Sequence, residues 1–328
     1  MPDHTPFLIG IDLGGTNMQV AVVRTDAVRV GHEAAVLARG KRKTKAEQGR
    51  DVILDRLAET VFDTCAEANL DPEDILGVGI GAPGAVDHEA GVVLEAPNLR
   101  WNDVPLAELL QERLKAPVII DNDVNVAVVG EHRMGAGFGG VHCLGVWVGT
   151  GVGGGLILNN QLHHGAFGTA GEIGHMHALP FNQPGSRSLE HNCSRTAVID
   201  RIVRLIKSNR KSLITELAEG DYDKIKSKTV AKAYQDGDEL TREVVDQAAE
   251  LLGIHIGGLV TLLSLDRVVI GGGLTEALGG DLVGTVRDAA RKVVFPERAR
   301  AVEIVETKLL DDAGTLGAAL LAQERLEK

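Results

Sequence analysis

The sequence has few aromatic residues and few cysteines, and both shortages exclude classes of function. Phe, Trp and Tyr make up 3% of its 328 residues, so surfaces for stacking single-stranded nucleic acid are not expected. The three cysteines, Cys65, Cys143 and Cys193, are widely separated and odd in number, which argues against a disulfide framework. The formal net charge of −12 at pH 7 also disfavours binding to duplex nucleic acid. Small metabolites are therefore the expected ligands, and nucleic acid is not an expected partner.

Signals for export or membrane insertion are lacking as well. The first six residues, Met-Pro-Asp-His-Thr-Pro, contain no basic segment of the kind that begins a signal peptide. The longest apolar stretch, residues 141–158, is interrupted repeatedly by glycine, which is typical of a sheet hairpin and not of a membrane helix. We therefore expect a cytoplasmic protein with no membrane partner.

Two glycine-rich segments, residues 8–23 and 143–158, resemble one another. When they are aligned, Gly10 falls on Gly145, and short apolar runs flank the glycines of both segments. Each pattern predicts a strand, a glycine turn and a second strand. Because such turns leave backbone N–H groups free, two of them could hold a polyphosphate from both sides. The pair indicates phosphoryl transfer from a nucleotide.

Predicted strands and helices alternate along the rest of the chain. Strands are expected at 75–81, 117–121, 266–270 and 302–305, and helices at 51–70 (capped by Asp51), 105–114, 124–134, 239–265, 281–293 and 313–326. Alternation of this kind, with a hairpin beginning each half, predicts two α/β domains with mixed sheets. A ligand is expected in a cleft between them.

Polar residues are concentrated in Asp121-Asn122-Asp123-Val124-Asn125, where an apolar strand ends and a helix begins. Ends of strands are favoured positions for reactive groups in α/β folds. A carboxylate here could accept the proton of a sugar hydroxyl as that hydroxyl attacks phosphorus. In the alternative interpretation, Asp121 or Asp123 only caps the helix.

Two further segments carry polar or charged side chains. The glycine-rich loop 168–175 contains Glu172 and His175, and Glu190 follows it. These groups suit the recognition of sugar hydroxyls, although a flexible surface loop is the alternative. The basic run 39–45 is interpreted as a solvated loop, or otherwise as part of the anionic end of a nucleotide site.

Taken in order, the motifs resemble the ROK family of bacterial sugar kinases and repressors. The matching segments are residues 12–17, 80–84, 98–101, 122–125, 149–155, 171–175, 271–273 and 312–319. The resemblance implies an α/β, two-domain actin-like (ribonuclease H-like) ATPase fold. It divides the chain into a small lobe, residues 1–121 with 313–328, and a large lobe, residues 122–312.

The resemblance also implies a role for each matching residue. Asp123 would be the general base, and Asp12 would lie near the Mg²⁺ that accompanies ATP. The sugar hydroxyls would be bound by Asn98, Asn122, Glu172, His175 and Glu190. The nucleotide would be held by Gly14, Gly15, Thr16, Asn17, Thr150 and Gly151 at its phosphates, and by Gly271, Gly272 and Gly273 at its adenosine.

One departure from the family concerns zinc. Many members bind zinc with a histidine equivalent to His175 and three cysteines before the glutamate, but residues 176–189 contain no cysteine and Ser188 stands at the last cysteine position. Thiolates supply most of the ligands of such a site, so no structural zinc is expected. A different site made by His175, His177 and Cys193 is left open.

The function implied by the resemblance is the ATP-dependent phosphorylation of a hexose, with glucose as the leading substrate. N-acetylmannosamine kinase, N-acetylglucosamine kinase and fructokinase are the alternatives, and polyphosphate is a second possible donor. A ROK repressor is disfavoured, because only six residues precede the first predicted strand. The family further implies a homodimer or homotetramer.

Overall fold

The computed structural model describes residues 6–327, which divide into two compact units. Unit 1 consists of the residues through Gly139, Leu162–Ala170 and the residues from Asp311 onward, and unit 2 consists of Gly140–Gln161 and Gly171–Leu310. The first five residues, on which the expectation about a signal peptide partly depends, lie outside the described part. None of the helices within residues 6–327 has the length and apolar character needed to span a bilayer.

Thirteen strands are found in the described residues. They are β1 (Phe7–Leu13), β2 (Asn17–Arg24), β3 (Val36–Lys43), β4 (Ile75–Ala82), β5 (Ala85–Asp87), β6 (Val92–Ala96), β7 (Trp101–Val104), β8 (Val118–Asn122), β9 (Cys143–Val148), β10 (Val152–Leu158), β11 (Gln161–Leu162), β12 (Arg267–Gly271) and β13 (Glu303–Glu306).

The described residues also form thirteen α-helices. They are α1 (Ala27–Val30), α2 (His32–Ala35), α3 (Arg50–Glu67), α4 (Leu106–Leu114), α5 (Asp123–Met134), α6 (Glu190–Cys193), α7 (Arg195–Lys207), α8 (Ile214–Leu217), α9 (Ser227–Gln235), α10 (Glu239–Leu263), α11 (Gly273–Leu278), α12 (Gly280–Val293) and α13 (Asp312–Leu326).

Both units are built on a five-stranded mixed sheet with the same order of strands. In unit 1 the order is β3-β2-β1-β4-β8, and in the second sheet it is β11-β10-β9-β12-β13. In each sheet the hairpin strands are antiparallel, and the first of them pairs in parallel with the fourth strand of its set. The similarity of the two glycine-rich segments thus extends to two similarly connected sheets. A smaller sheet, β5-β6-β7, accompanies the first.

Each unit has a hydrophobic core of its own. The core of unit 1 joins the inner faces of β1, β2, β4 and β8 to α3 and α4, and contains fully buried Ile9, Ile11 and Leu57. The core of unit 2 joins its sheet to α7, α10 and α12, and contains Val146 and Ile270. The apolar periodicity of these segments is therefore used within each unit, as expected for α/β layers.

Helix α13 lies against β1 and α5, and glycines permit the close approach. A Cβ atom at Gly10 would lie 1.8 Å from the Thr315 carbonyl oxygen, and one at Gly317 would lie 1.7 Å from the Val126 carbonyl oxygen. Neither position has room for a side chain, because real Cβ contacts are never so short. This packing attaches α5, which begins at Asp123, to the sheet of unit 1.

The structure corrects two local expectations. Helix α3 begins at Arg50, and its cap is Gly49, so Asp51 lies in the first turn and does not cap the helix. The basic run 39–45 was expected to be a loop, but most of it belongs to strand β3, which pairs with β2 from Val36 to Lys43. The run fits a strand because successive side chains point to opposite faces, which leaves Arg39, Lys41 and Lys43 exposed while Arg42 is half-buried.

The compact units also differ from the predicted lobes. Residues 122–139 and 162–170 were placed in the large lobe, but they belong to unit 1. The physical reason is the packing of α5 on α13 and the hydrogen bond between His164 and Asp121, both within unit 1.

Candidate active site

The first glycine turn joins β1 to β2 and presents free backbone donors. Gly14 N donates to Asn17 O at 2.9 Å, and the Thr44 hydroxyl donates to Gly14 O at 2.6 Å. The N–H groups of Gly15 and Thr16 have no acceptor within residues 6–327. Thr16 and Asn17 are exposed. Free N–H groups on a turn fixed from both sides are suited to anionic oxygens.

Asp12 lies beside this turn near the end of β1. Burial raises the pKa of its carboxyl to about 6, and the charge of Asp311 adds to the effect, whereas Lys41 opposes it. The strand register places Asp12, Gln19 and Lys41 in one cross-strand row. The Asp12 carboxylate accepts no hydrogen bond from any described residue. A partly buried carboxylate without a donor partner fits a hard cation such as Mg²⁺.

Asn98 is in contact with the first turn. It lies in the short 3-10 helix Pro97–Leu99, and a Cβ atom on Gly15 would be 2.9 Å from the Asn98 Cβ. The Asn98 amide is exposed and has no hydrogen-bond partner among the described residues. An amide in this place can donate to and accept from a hydroxyl group held beside the turn.

Asn122 and Asp123 mark the junction of β8 and α5. Asn122 is the cap of α5, because its Oδ1 accepts from Val124 N at 2.9 Å and from Asn125 N at 3.2 Å. Its Nδ2 donates to Gly84 O at 3.1 Å, which leaves one N–H for a ligand. Asp123 is the first residue of the helix, where the helix dipole favours a negative charge. Asp123 Oδ1 also accepts from Val124 N at 2.9 Å, but the cap position, which the alternative interpretation gave to Asp121 or Asp123, belongs to Asn122.

Asp121 has a structural role that was not predicted. Its side chain is 2% exposed and accepts from Arg325 Nη2 at 2.7 Å, His164 Nε2 at 2.8 Å and Asn125 Nδ2 at 2.9 Å. Burial by itself would raise the pKa of Asp121, but these partners, His164 foremost, outweigh burial and hold the pKa below its usual value. The His164 ring also stacks on His88, with 3.6 Å between centroids. The network fixes the backbone that carries Asn122 and Asp123.

The second glycine turn joins β9 to β10 and is held by α7. Gly149 N donates to Gly151 O, and the Thr196 hydroxyl donates to Thr150 O at 2.8 Å. The N–H groups of Thr150 and Gly151 have no acceptor within the described part of the chain. Arg195 Nη2 donates to the Thr150 hydroxyl at 2.8 Å. The two turns therefore share the feature that suits phosphate, each in its own unit.

Glu190 is in contact with the second turn. Its Oε2 accepts from Val152 N at 3.1 Å and lies next to the Cα of Gly151. Burial raises the pKa of Glu172, His175 opposes the shift, and the charge of Glu190 adds to it. The short 3-10 helix Ile173–His175 packs against β10 and against α6, which begins at Glu190. Unit 2 thus brings together the segments that carry Glu172, His175 and Glu190.

The Gly271–Gly273 segment connects β12 to α11. Gly272 has a φ of 89°, and a Cβ atom there would lie 2.7 Å from Val148 N. A Cβ on Gly271 would lie 2.8 Å from the Trp147 ring. Both glycines therefore allow the chain to pass closely over β9, the strand that leads to the second turn.

The segment that replaces the zinc motif is closed by hydrogen bonds. Ser188 Oγ lies 2.7 Å from His191 Nδ1, and His177 forms an isolated bridge with Ser188. Burial raises the pKa of the Cys193 thiol to about 12, and its Sγ donates to Ala248 O. Within residues 6–327 no three His, Cys, Asp or Glu side chains are grouped to hold a metal. That the protein lacks zinc stays a prediction.

Comparison with known proteins identifies relatives over almost the whole chain. The model of the ROK family matches residues 8–325. The glucokinase of Thermotoga maritima is 34% identical over 325 residues, which cover 97% of this chain and 98% of that protein. A xylose repressor of Caldicellulosiruptor bescii is 30% identical over 315 residues, which cover 94% of this chain and 76% of the repressor.

Solved structures of ROK proteins also resemble the chain over almost its full length. A ROK family glucokinase from Streptomyces griseus, crystallised with glucose and AMPPNP, superposes with a TM-score of 0.82 and 29% identity. The match covers 97% of this chain and 99% of that one. The mixed α/β architecture is the actin-like ATPase fold. With nearly every residue covered by the family model and by relatives at this identity, the chain belongs to the ROK family.

Proposed function

We propose that the chain is a sugar kinase that transfers the terminal phosphoryl group of ATP to the 6-hydroxyl of glucose. One observation carries the proposal. In each unit, a predicted sugar-binding side chain lies against a glycine turn with two backbone N–H groups that have no acceptor among residues 6–327. Asn98 contacts Gly15 in unit 1, and Glu190 contacts Gly151 in unit 2. Each turn would thus hold phosphate oxygens next to a side chain that binds the sugar.

Asp123 is the proposed general base. It would accept the hydroxyl proton as the sugar oxygen attacks phosphorus. Its position at the start of α5 is fixed on one side by the Asn122 cap and on the other by the α5–α13 packing. The Asp121 network holds the preceding backbone, since Asp121 Oδ1 also accepts from Asn122 N at 2.9 Å. Positioning of this kind supplies much of the rate enhancement in phosphoryl transfer.

Charge on the phosphates would be stabilised by the two turns and by a cation. Free N–H groups at Gly15, Thr16, Thr150 and Gly151 can donate to phosphate oxygens. Mg²⁺ bound with ATP would neutralise phosphate charge, and Asp12 is the residue proposed to face it. The remaining assignments are proposed as the sequence implied them: Asn122, Glu172 and His175 for the sugar, Gly14 and Asn17 for the phosphates, and Gly271–Gly273 for the adenosine.

The glucokinase relatives support the choice of glucose. The Thermotoga maritima and Halalkalibacterium halodurans glucokinases are 34% and 32% identical to this chain over nearly its full length. The repressor relative favours a second candidate, sugar binding without phosphoryl transfer. The two candidates predict different outcomes when sugar and ATP are supplied together.

An ADP-release assay tests the proposal. Purified protein is mixed with MgATP and, in turn, glucose, mannose, fructose, N-acetylglucosamine and N-acetylmannosamine, and polyphosphate replaces ATP in a parallel set. We expect the highest kcat/KM with glucose and ATP. Release of ADP with an acetamido sugar or fructose would reassign the substrate. Sugar binding by calorimetry, with no ADP release for any sugar, would instead support the sensing role.

The location and lobes are proposed on the same basis. A kinase that consumes ATP and free hexose is proposed to work in the cytoplasm, without membrane or nucleic-acid partners. We keep as a proposal the two lobes that the family resemblance implies. The small lobe consists of residues 1–121 with 313–328, and the large lobe consists of residues 122–312.

A further inference from the structure

Arg195 is a cation at the second glycine turn, and no motif of the sequence indicates a role for it. It is the first residue of α7, and its backbone N donates to Gly149 O at 2.9 Å. Its Nη2 donates to the Thr150 hydroxyl at 2.8 Å. The hydroxyl of Thr196, the next residue, donates to Thr150 O, and Ser194 caps the helix. The start of α7 is therefore attached to the turn at several points, and Arg195 has little freedom to leave it.

The guanidinium group of Arg195 is otherwise unused. Of its five N–H donors, one bonds to Thr150, and no acceptor for the others is found among residues 6–327. Other arginines of the chain are committed to carboxylates: Arg39 to Asp312, and Arg325 to Asp121. Arg195 forms no ion pair with a described residue, although it is only half-buried beside the turn. A fork of free donors in this place matches the geometry of phosphate oxygens.

The charge around the turn favours a cation there. The Glu190 carboxylate accepts from Val152 N and lies against Gly151. A phosphate bound to the free N–H groups of Thr150 and Gly151 would be repelled by this carboxylate. Arg195 provides a positive charge on the same turn, and it could offset that repulsion directly.

The Thr150 hydroxyl offers a second way for Arg195 to stabilise a bound phosphate. Because its oxygen accepts from Arg195, its own proton is available for another acceptor. A hydrogen bond received from a cation polarises the hydroxyl and makes it a stronger donor. Arg195 would thus act on a phosphate both through its free N–H groups and through Thr150.

We infer that Arg195 is a phosphate ligand of the nucleotide, in addition to the glycine turns. The inference rests on the proposed kinase function and makes it more specific, since it names a cationic contact to the donor phosphates in unit 2. Arg195 and the Thr150 hydroxyl act together on the phosphates there, and neither of them is proposed to bind the sugar.

The test compares Arg195→Gln and Arg195→Lys with Arg204→Gln as a matched control. Arg204 is an exposed arginine on the same helix and makes no contact with the turn. Affinities of the full-length protein for adenosine, MgADP and MgATP are measured by calorimetry, and KM values for ATP and glucose by ADP release. Melting temperatures report whether each variant remains folded.

Arg195→Gln is expected to weaken MgATP binding roughly 10- to 100-fold, as the loss of hydrogen bonds to a charged group implies. Adenosine affinity and the KM for glucose should stay unchanged. Arg195→Lys should lie between the wild type and Arg195→Gln, since it keeps the charge but not the fork. Arg204→Gln should match the wild type.

Two outcomes would overturn the inference. An equal loss of affinity for adenosine and MgATP would mean that Arg195 only holds the turn in shape, and unchanged MgATP affinity would exclude the contact. The proposed function fails separately, if the wild type releases no ADP with any sugar. The binding experiments with adenosine and MgATP still decide the role of Arg195 in that case.

Discussion

Asp12 near the end of β1 and Asp121 near the end of β8 show how local partners decide the role of a carboxylate that is shielded from water. Burial acts on the pKa of both Asp12 and Asp121 in the same direction. Asp121 receives hydrogen bonds from Arg325 and His164, so its pKa is lowered and it stays charged. Asp12 receives none, and its pKa is raised to about 6. Asp121 is thus neutralised by protein groups, whereas the Asp12 carboxylate accepts no hydrogen bond from residues 6–327 and is open to a ligand.

Replacing Asp12 by Asn is expected to stabilise the protein at high pH while reducing activity. A carboxyl whose pKa rises from 3.8 to about 6 on folding binds a proton more tightly in the folded state. The stability that the protonated Asp12 carboxyl contributes is therefore fully present below pH 3.8 and is lost as the pH rises through 6. The increase in the free energy of unfolding caused by Asp12→Asn should be about 3 kcal/mol at pH 8 and should shrink as the pH falls towards 3.8.

Urea unfolding at pH 8 and pH 4.5 measures this effect. The control is Asp51→Asn, because Asp51 is exposed on α3 and pairs only with its neighbour Arg50. A gain for Asp12→Asn that does not depend on pH would contradict the cause assigned to it.

Replacing Asp123 by Asn removes proton acceptance and keeps the shape of the side chain. We expect kcat to fall by roughly 10²–10⁴, with little change in the affinity for glucose. Asp51→Asn again serves as the control, since it also exchanges a carboxylate for an amide outside the site. Wild-type kcat in Asp123→Asn would exclude this residue as the base.

At the scale of elements, the position of α5 depends on its contact with α13. Gly317 lies against the Val126 carbonyl, and Gly130 lies against the Ala313 carbonyl, so each helix provides a glycine where the other approaches. Gly253 and Gly257 of α10 allow a similar approach to α12 in unit 2. Both units therefore use glycine to bring two helices together, and in unit 1 one of these helices carries the proposed base.

The same substitution at two helical glycines should have opposite effects. Gly317→Ala would place a Cβ 1.7 Å from the Val126 carbonyl oxygen, so the helices must separate, at a cost of about 1–3 kcal/mol or more. Gly258→Ala in α10 meets nothing within 4 Å and should stabilise by about 0.5–1 kcal/mol, because alanine favours the helix. The urea concentration at the midpoint of unfolding measures the stability change of each variant. A neutral Gly317→Ala would show that α5 and α13 can move apart without cost.

At the scale of the whole molecule, two units with the same strand order have separate cores. Five of the six phenylalanines are exposed, among them Phe167 at 90% and Phe181 at 101%. Exposed apolar surface of this kind is stabilised when another surface covers it. The homodimer or homotetramer that the family resemblance implies would provide such cover.

Light scattering after size-exclusion chromatography measures the mass of the assembly. We expect twice or four times the 34.8 kDa of one chain. The Phe181→Ser variant, on a surface loop, tests whether the exposed rings contribute to association. A wild-type mass of one chain over a range of micromolar concentrations would contradict the proposal.

Much of the fold, and the positions of several candidate site residues on its elements, could be inferred from local sequence patterns. Glycine turns between apolar runs, and helices with regular apolar spacing, depend on residues that are close in sequence. The two hairpins, the helices α4, α5 and α12, and the positions of Asp12 and Asp123 on strand and helix ends were predicted for this reason. The order of these motifs was also sufficient to indicate the ROK family, which the family match confirmed.

Contacts between distant residues could not be inferred in this way. Asp121 meets His164, 43 residues away, and Arg325, 204 residues away, and nothing in the local pattern names either partner. Arg195 reaches Thr150 across 45 residues, and Asn122 took the capping role expected of a neighbouring aspartate. Local periodicity specifies which face of an element is buried, but packing selects the side chains that neutralise or bond one another. That selection depends on how elements fold onto each other, so the partners of the charged groups became known from the structure.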